Sequence, residues 1–134
     1  VDAADDRTVQ PLLAAPIYPV QSLDPAVAYA GAANALFGGP ATAEQIARYS
    51  PENNAAPGLP ACFLVHAEDD ATVPVANTTR LRDALRAHGN VVETHLFARG
   101  RHGFGMDDGP FEPWSIWPRL FIAFVRREGL MGRG

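Results

Sequence analysis

Residues 61–67 read A-C-F-L-V-H-A, an apolar run with no polar alternation. A strand with one face in water alternates apolar and polar residues, whereas a continuous apolar run is the pattern of a strand buried on both faces. Residues 91–97 supply a second strand, in which Val92, Thr94 and Leu96 alternate with Val91, Glu93, His95 and Phe97. Between the two lies a helical pattern from about Val75 to His88, with Leu81, Ala84, Leu85 and His88 on one face and Gly89-Asn90 as its terminator. Strand, helix and strand joined by short connections predict parallel strands with right-handed crossovers.

The remaining segments extend this pattern in both directions. Residues 1–9 are polar and acidic and read as a surface loop. Residues 12–20, L-L-A-A-P-I-Y-P-V, read as a third strand, provided Pro16 and Pro19 sit where no ladder donor is needed. Asp24 is expected to cap a helix with Pro25 at its first position, ending near Gly38-Gly39-Pro40. Thr42 and Gln45 have the spacing of a capping box for a short helix through Tyr49, and residues 50–60 read as loop. The last helix is expected from Ser115 or Ile116, with Trp117, Leu120, Phe121, Phe124 and Val125 as its apolar stripe and Pro118 tolerated in the first turn. About three strands covered on both faces make a thin sheet with exposed edges, so the expected fold is α/β but incomplete.

Composition narrows the function classes. The 134 residues suit one domain or a piece of one, and 47% apolar content is enough for a core. A net charge of −4, with acids and arginines interspersed, gives no basic stripe for nucleic acid. No apolar run reaches the roughly 18 residues of a membrane span, and no signal peptide is visible. All 11 basic residues are arginine, so Walker A loops, Schiff-base chemistry and phospho-receiver domains, which need a lysine, are excluded. Cys62 is the single cysteine, so there is no intrachain disulfide and no cysteine metal cluster.

The chemistry concentrates in two loops, each following a predicted strand. The first, His66 to Pro74, carries Glu68, Asp69 and Asp70; the second, Gly100 to Gly105, reads G-R-H-G-F-G and carries His102. In a parallel sheet both loops fall at the carboxyl ends of the strands, where binding residues gather. A histidine with an unperturbed pKa of about 6.5 is a natural general base at neutral pH. In Asp70-Ala-Thr-Val-Pro74 the acid starts a turn that leads into a helix, so Asp70 is the carboxylate expected to orient that histidine. The plainer alternatives are a surface histidine in a glycine-rich loop and a solvated acidic turn, and Asp69 and Glu68 are given that role. A divalent-metal site from the same acids has no supporting spacing.

The other chemistry-bearing side chains read as structural. His66 and His95 lie on strands, and His88 lies at a helix end. Trp114, Trp117 and Phe121 read as core, and Phe104 either lines a pocket or anchors its loop. Ser22, Ser50 and Ser115 are not on a tight glycine-flanked turn, no G-x-S-x-G occurs, and Cys62 reads as a small buried hydrophobe.

On these residues the chain resembles the C-terminal part of α/β-hydrolases, closest to the bacterial esterase branch with acetyl-xylan-esterase-like enzymes. The matching stretches are A-P-I-Y-P-V (15–20), S-L-D-P-A-V-A (22–28), R-Y-S-P-E (48–52), F-L-V-H-A-E-D-D-A-T-V-P-V-A-N (63–77) and R-G-R-H-G-F-G (99–105). The resemblance implies that residues 22–58 form a cap-like insertion and that residues 59–134 form the acid- and histidine-bearing strand–helix units. It implies Asp70 as triad acid and His102 as triad base, with the elbow serine and oxyanion loop upstream of Val1, in an N-terminal half that this chain lacks. The implied reaction is hydrolysis of short acyl esters, acetylated saccharide among them, with no cofactor and no metal. Two other enzymes share this C-terminal logic, the prolyl-oligopeptidase-type peptidase and the dienelactone-hydrolase type. A non-catalytic complementation module that pairs its free edge with another chain is the reading from a different class.

Overall fold

The computed structural model describes residues 11–106, 109 and 112–131; residues 1–9, the expected surface loop, lie outside them. Strand β1 is only Leu13–Ala14. The expected longer strand stops there because Pro16 has no amide hydrogen to give to a ladder. The chain nevertheless stays beside its neighbour: Val65 N donates to Pro16 O at 3.3 Å and Tyr18 N donates to Val65 O at 2.7 Å.

The helix expected from Asp24 forms only one turn. Asp24 Oδ1 accepts from Ala26 N at 3.0 Å, and Val27 N and Ala28 N donate to the Asp24 carbonyl. The Val27 carbonyl, which a continuing helix needs, instead accepts from Asn77 Nδ2 at 2.7 Å. Helix α1 therefore starts later, at Ala32–Phe37, and ends as expected at Gly38, whose φ is +73°. Helix α2, Ala43–Tyr49, carries the predicted capping box: Gln45 N donates to Thr42 Oγ1 and Thr42 N donates to Gln45 Oε1. The loop predicted over 50–60 contains a 3₁₀ turn, Pro51–Asn54.

Strand β2 spans Ala61–Ala67, α3 spans Ala76–Ala87 and β3 spans Val92–Phe97. A 3₁₀ turn, Pro113–Ile116, leads into α4, Trp117–Arg127, with Pro118 in its first turn. The three strands form one parallel sheet in the order β1-β2-β3, with β2 and β3 registered from Cys62↔Val92 to Ala67↔Phe97.

The period of two along β2 explains both covering layers. Phe63, Val65 and Ala67 point to one side, where Phe124 and Val125 of α4 and the loop residue Phe104 complete a buried cluster. Cys62 and Leu64 point to the other side, against Leu81 and Leu85 of α3. His66 shares the parity of Cys62 and Leu64, so it too faces α3. Helices thus cover both faces of β2, as its unbroken apolar run requires.

Candidate active site

The turn after β2 is built around a single carboxylate. Asp70 Oδ1 accepts from Thr72 N at 2.9 Å and from Val73 N at 2.8 Å, which closes the turn that Pro74 leads into α3. Its Oδ2 accepts from His102 Nδ1 at 2.7 Å and from His66 Nε2 at 3.0 Å. The side chain of Asp70 is fully buried, and that of His102 is 30% exposed. Burial raises the carboxyl pKa, but the hydrogen bonds from Val73 N, His102 and Thr72 N outweigh it. The group is held below its ordinary value of 3.8. An ionised carboxylate is therefore aimed at a partly exposed imidazole. Among the described residues the ring's hydrogen bond uses Nδ1, which leaves Nε2 to take up a proton.

The histidine loop owes its path to glycine at two points. A Cβ at Gly100 would stand 2.9 Å from the Ala67 side chain and 3.0 Å from Phe104. Gly103 has a φ of +78°, which other residues rarely adopt. Arg101 is a non-glycine residue in the same left-handed region, at φ +57°. Its amide donates to Asp69 Oδ1 at 2.8 Å, so the acid loop holds the backbone one residue before His102. On the far side, Trp117 Nε1 donates to Gly105 O at 2.8 Å and pins the loop to α4. Phe104 is buried in the core cluster and anchors the loop.

The structure thus brings Asp70 and His102 together as the sequence predicts, and it gives three further residues a place beside them. Asp69 is exposed, as expected of a solvated acid, and in addition it fastens the histidine loop. His66 is not merely a core histidine, because its ring bonds Asp70 and Thr78. Tyr18, which the sequence did not single out, lies edge-on to both His102 and Phe104, each with ring centroids 5.0 Å apart. Glu68 is exposed and His95 pairs with Glu93 at 3.0 Å, away from this cluster. The one available clue to Tyr18 was its place between Pro16 and Pro19, a stretch where regular pairing had to fail.

Three of the hydroxyl and thiol groups set aside in the sequence are buried away from this cluster. Ser22 and Ser50 are fully buried, and their hydroxyl oxygens accept from Asp24 N and Leu23 N. Cys62 is buried, and burial pushes its thiol up to about 11. An apolar cavity of about 450 Å³ opens beside α1 and α2, walled by Val20, Leu23, Tyr29, Leu36 and Tyr49.

Comparison with known proteins gives this arrangement a context. The sequence profile described as the prolyl oligopeptidase family matches residues 25–111. An acetyl ester-xyloside bifunctional hydrolase from Caldicellulosiruptor lactoaceticus superposes with a TM-score of 0.85 at 32% identity, over 91% of this chain and 44% of that one. A thermophilic esterase from the Planctomycetes species Thermogutta terrifontis superposes with a TM-score of 0.74 at 21% identity, over 100% of this chain and 50% of that one, a likeness of fold. In sequence, endo-1,4-beta-xylanase B of Butyrivibrio fibrisolvens is 32% identical over 88 residues, 65% of this chain and 14% of that protein. The chain spans at most about half the length of these proteins.

Proposed function

Since the chain belongs to the prolyl oligopeptidase family of hydrolases and has the α/β-hydrolase fold, we propose that it is the acid- and base-bearing part of a serine esterase. The observation that carries this reading is the 2.7 Å hydrogen bond from His102 Nδ1 to the buried, ionised Asp70. Asp70 fixes the tautomer that leaves Nε2 as base and stabilises the imidazolium once it forms. A serine from the remainder of the fold attacks the ester carbonyl and His102 Nε2 takes its proton. His102 then returns the proton to the leaving alcohol. Water releases the acid from the acyl-enzyme by the same two transfers in reverse. Likeness to the acetyl ester-xyloside hydrolase supports short acyl esters, including acetyl groups on saccharides, as substrates. The apolar cavity beside α1 and α2 supports a capping role for residues 22–58.

On this reading the 134-residue chain alone turns over no p-nitrophenyl acetate. Joined to the part of the Caldicellulosiruptor lactoaceticus enzyme that it does not cover, it is expected to gain turnover that His102→Ala abolishes. Asp70→Asn should lower that kcat by a factor on the order of 10⁴. Turnover by the isolated chain that disappears with His102→Ala refutes the reading. The family's description keeps a peptidase as the second reading. Faster cleavage of a prolyl p-nitroanilide than of p-nitrophenyl acetate by the chimera selects it.

A further inference from the structure

Asp70 Oδ2 is held by a second imidazole that the proposed chemistry does not require. His66 is fully buried, and its Nε2 lies 3.0 Å from Asp70 Oδ2 and 3.0 Å from the Val73 carbonyl oxygen. An ionised carboxylate and a carbonyl only accept, so Nε2 carries the ring's hydrogen. The other nitrogen, Nδ1, lies 2.7 Å from the hydroxyl of Thr78, which is also fully buried. In the neutral ring with its hydrogen on Nε2, Nδ1 is an acceptor and the Thr78 O–H donates to it. The tautomer is set by the surroundings: Thr78 donates to His66, and His66 donates to Asp70.

The consequence is geometric. The carboxylate torsion of an aspartate is soft, so backbone amides on Oδ1 alone leave Oδ2 room to swing. His66 fixes the oxygen that receives the His102 N–H, in a place where no solvent competes for it. We propose that His66 is a positioning residue of the site, holding Asp70 Oδ2 in line with His102 through a hydrogen-bond chain anchored on the Thr78 hydroxyl of α3. The proposal rests on the reading of Asp70 and His102 as acid and base. The chain of bonds needs neither nucleophile nor substrate, so it can be read in the 134-residue protein itself.

Histidine ¹⁵N and ¹H NMR is expected to show His66 as the Nε2–H tautomer and a low-field proton on His102 Nδ1. His66→Gln keeps an N–H near the place of Nε2 and should retain that low-field signal. His66→Leu removes the donor and should lose the signal or move it upfield, while the backbone amide spectrum stays dispersed. Thr78→Val, close to isosteric, should mix the His66 tautomers and weaken the His102 signal; it decides the question if His66→Leu does not fold. An Nδ1–H tautomer at His66, or an unchanged His102 signal in His66→Leu or Thr78→Val, overturns the proposal. Absence of esterase turnover in the chimera, with all these signals present in the chain, strikes the proposed function and leaves the positioning role intact.

Discussion

Asp70 takes hydrogen bonds from Thr72 N, Val73 N, His66 Nε2 and His102 Nδ1, and this makes it the acid-sensitive residue of the site. Its folded pKa lies below 3.8, so its stabilising contribution is complete above that value and is lost as pH falls through the lower folded pKa. The stability gap between wild type and Asp70→Asn, measured by urea unfolding, is expected to be widest near neutrality and to narrow in acid. A constant gap contradicts the assignment. Cys62 gives a second residue-scale expectation. Raising its pKa from 9.0 to about 11 cuts the thiolate fraction roughly 100-fold. Iodoacetamide at mildly alkaline pH should therefore label the native chain at least that much more slowly than the urea-unfolded chain. Asp70 and His102 were legible in the sequence because each stands in a loop with its own local signature after an apolar run. His66 and Asp69 were not. His66 looks like one more buried strand residue until β2 is paired and its parity sends the ring toward Thr78 on α3. Asp69 has its partner, the Arg101 amide, on a loop 32 residues away.

At the scale of elements, the contrast between α2 and the segment before α1 separates local from tertiary control. The Thr42 capping box closes within its own first turn, so the sequence predicts it and the structure contains it. Thr42→Ala is expected to cost about 1 kcal/mol in urea unfolding, the usual range for such a cap. Asp24 and Pro25 carry an equally plausible start signal, yet Asn77 takes the Val27 carbonyl and the helix does not continue. Asn77 is fully buried and clamps the chain: Oδ1 accepts from Gln21 N and Ser22 N, and Nδ2 donates to Val27 O and Pro74 O. Asn77→Ala leaves several of these groups unpaired and is expected to destabilise by about 3 kcal/mol or more. The measurable outcome is that Asn77→Ala loses clearly more than Thr42→Ala; equal losses would mean that the clamp contributes little. Nothing within residues 20–28 announces this partner, which is why the sequence extended the helix too far.

For the whole molecule, the sequence predicts three parallel strands with helices on both faces, and the structure has them. β1 leaves an edge unpaired among the described residues, and Pro11, Ala14, Leu59, Cys62, Leu81 and Leu85 wall an apolar groove of about 320 Å³ beside it. Leu12, next to this groove in sequence, is 74% exposed. Such an edge invites pairing with another chain. Sedimentation velocity is expected to show concentration-dependent association that Leu12→Glu reduces; a monomer at every concentration argues against this. A different consequence follows from the alignment of β2 with β3. Asp70 and His102 each trail a strand, and the pairing Ala67↔Phe97 sets where both begin. Sliding one strand by a single residue would carry His102 about 3.3 Å along and turn the alternating side chains of β3 to the opposite faces. The shift exceeds the 2.7 Å that separates the two side chains. Register changes only in whole residues, so the sheet acts as a stepwise gauge: a slipped pairing of β2 with β3 loses the acid–base pair outright instead of weakening it slightly.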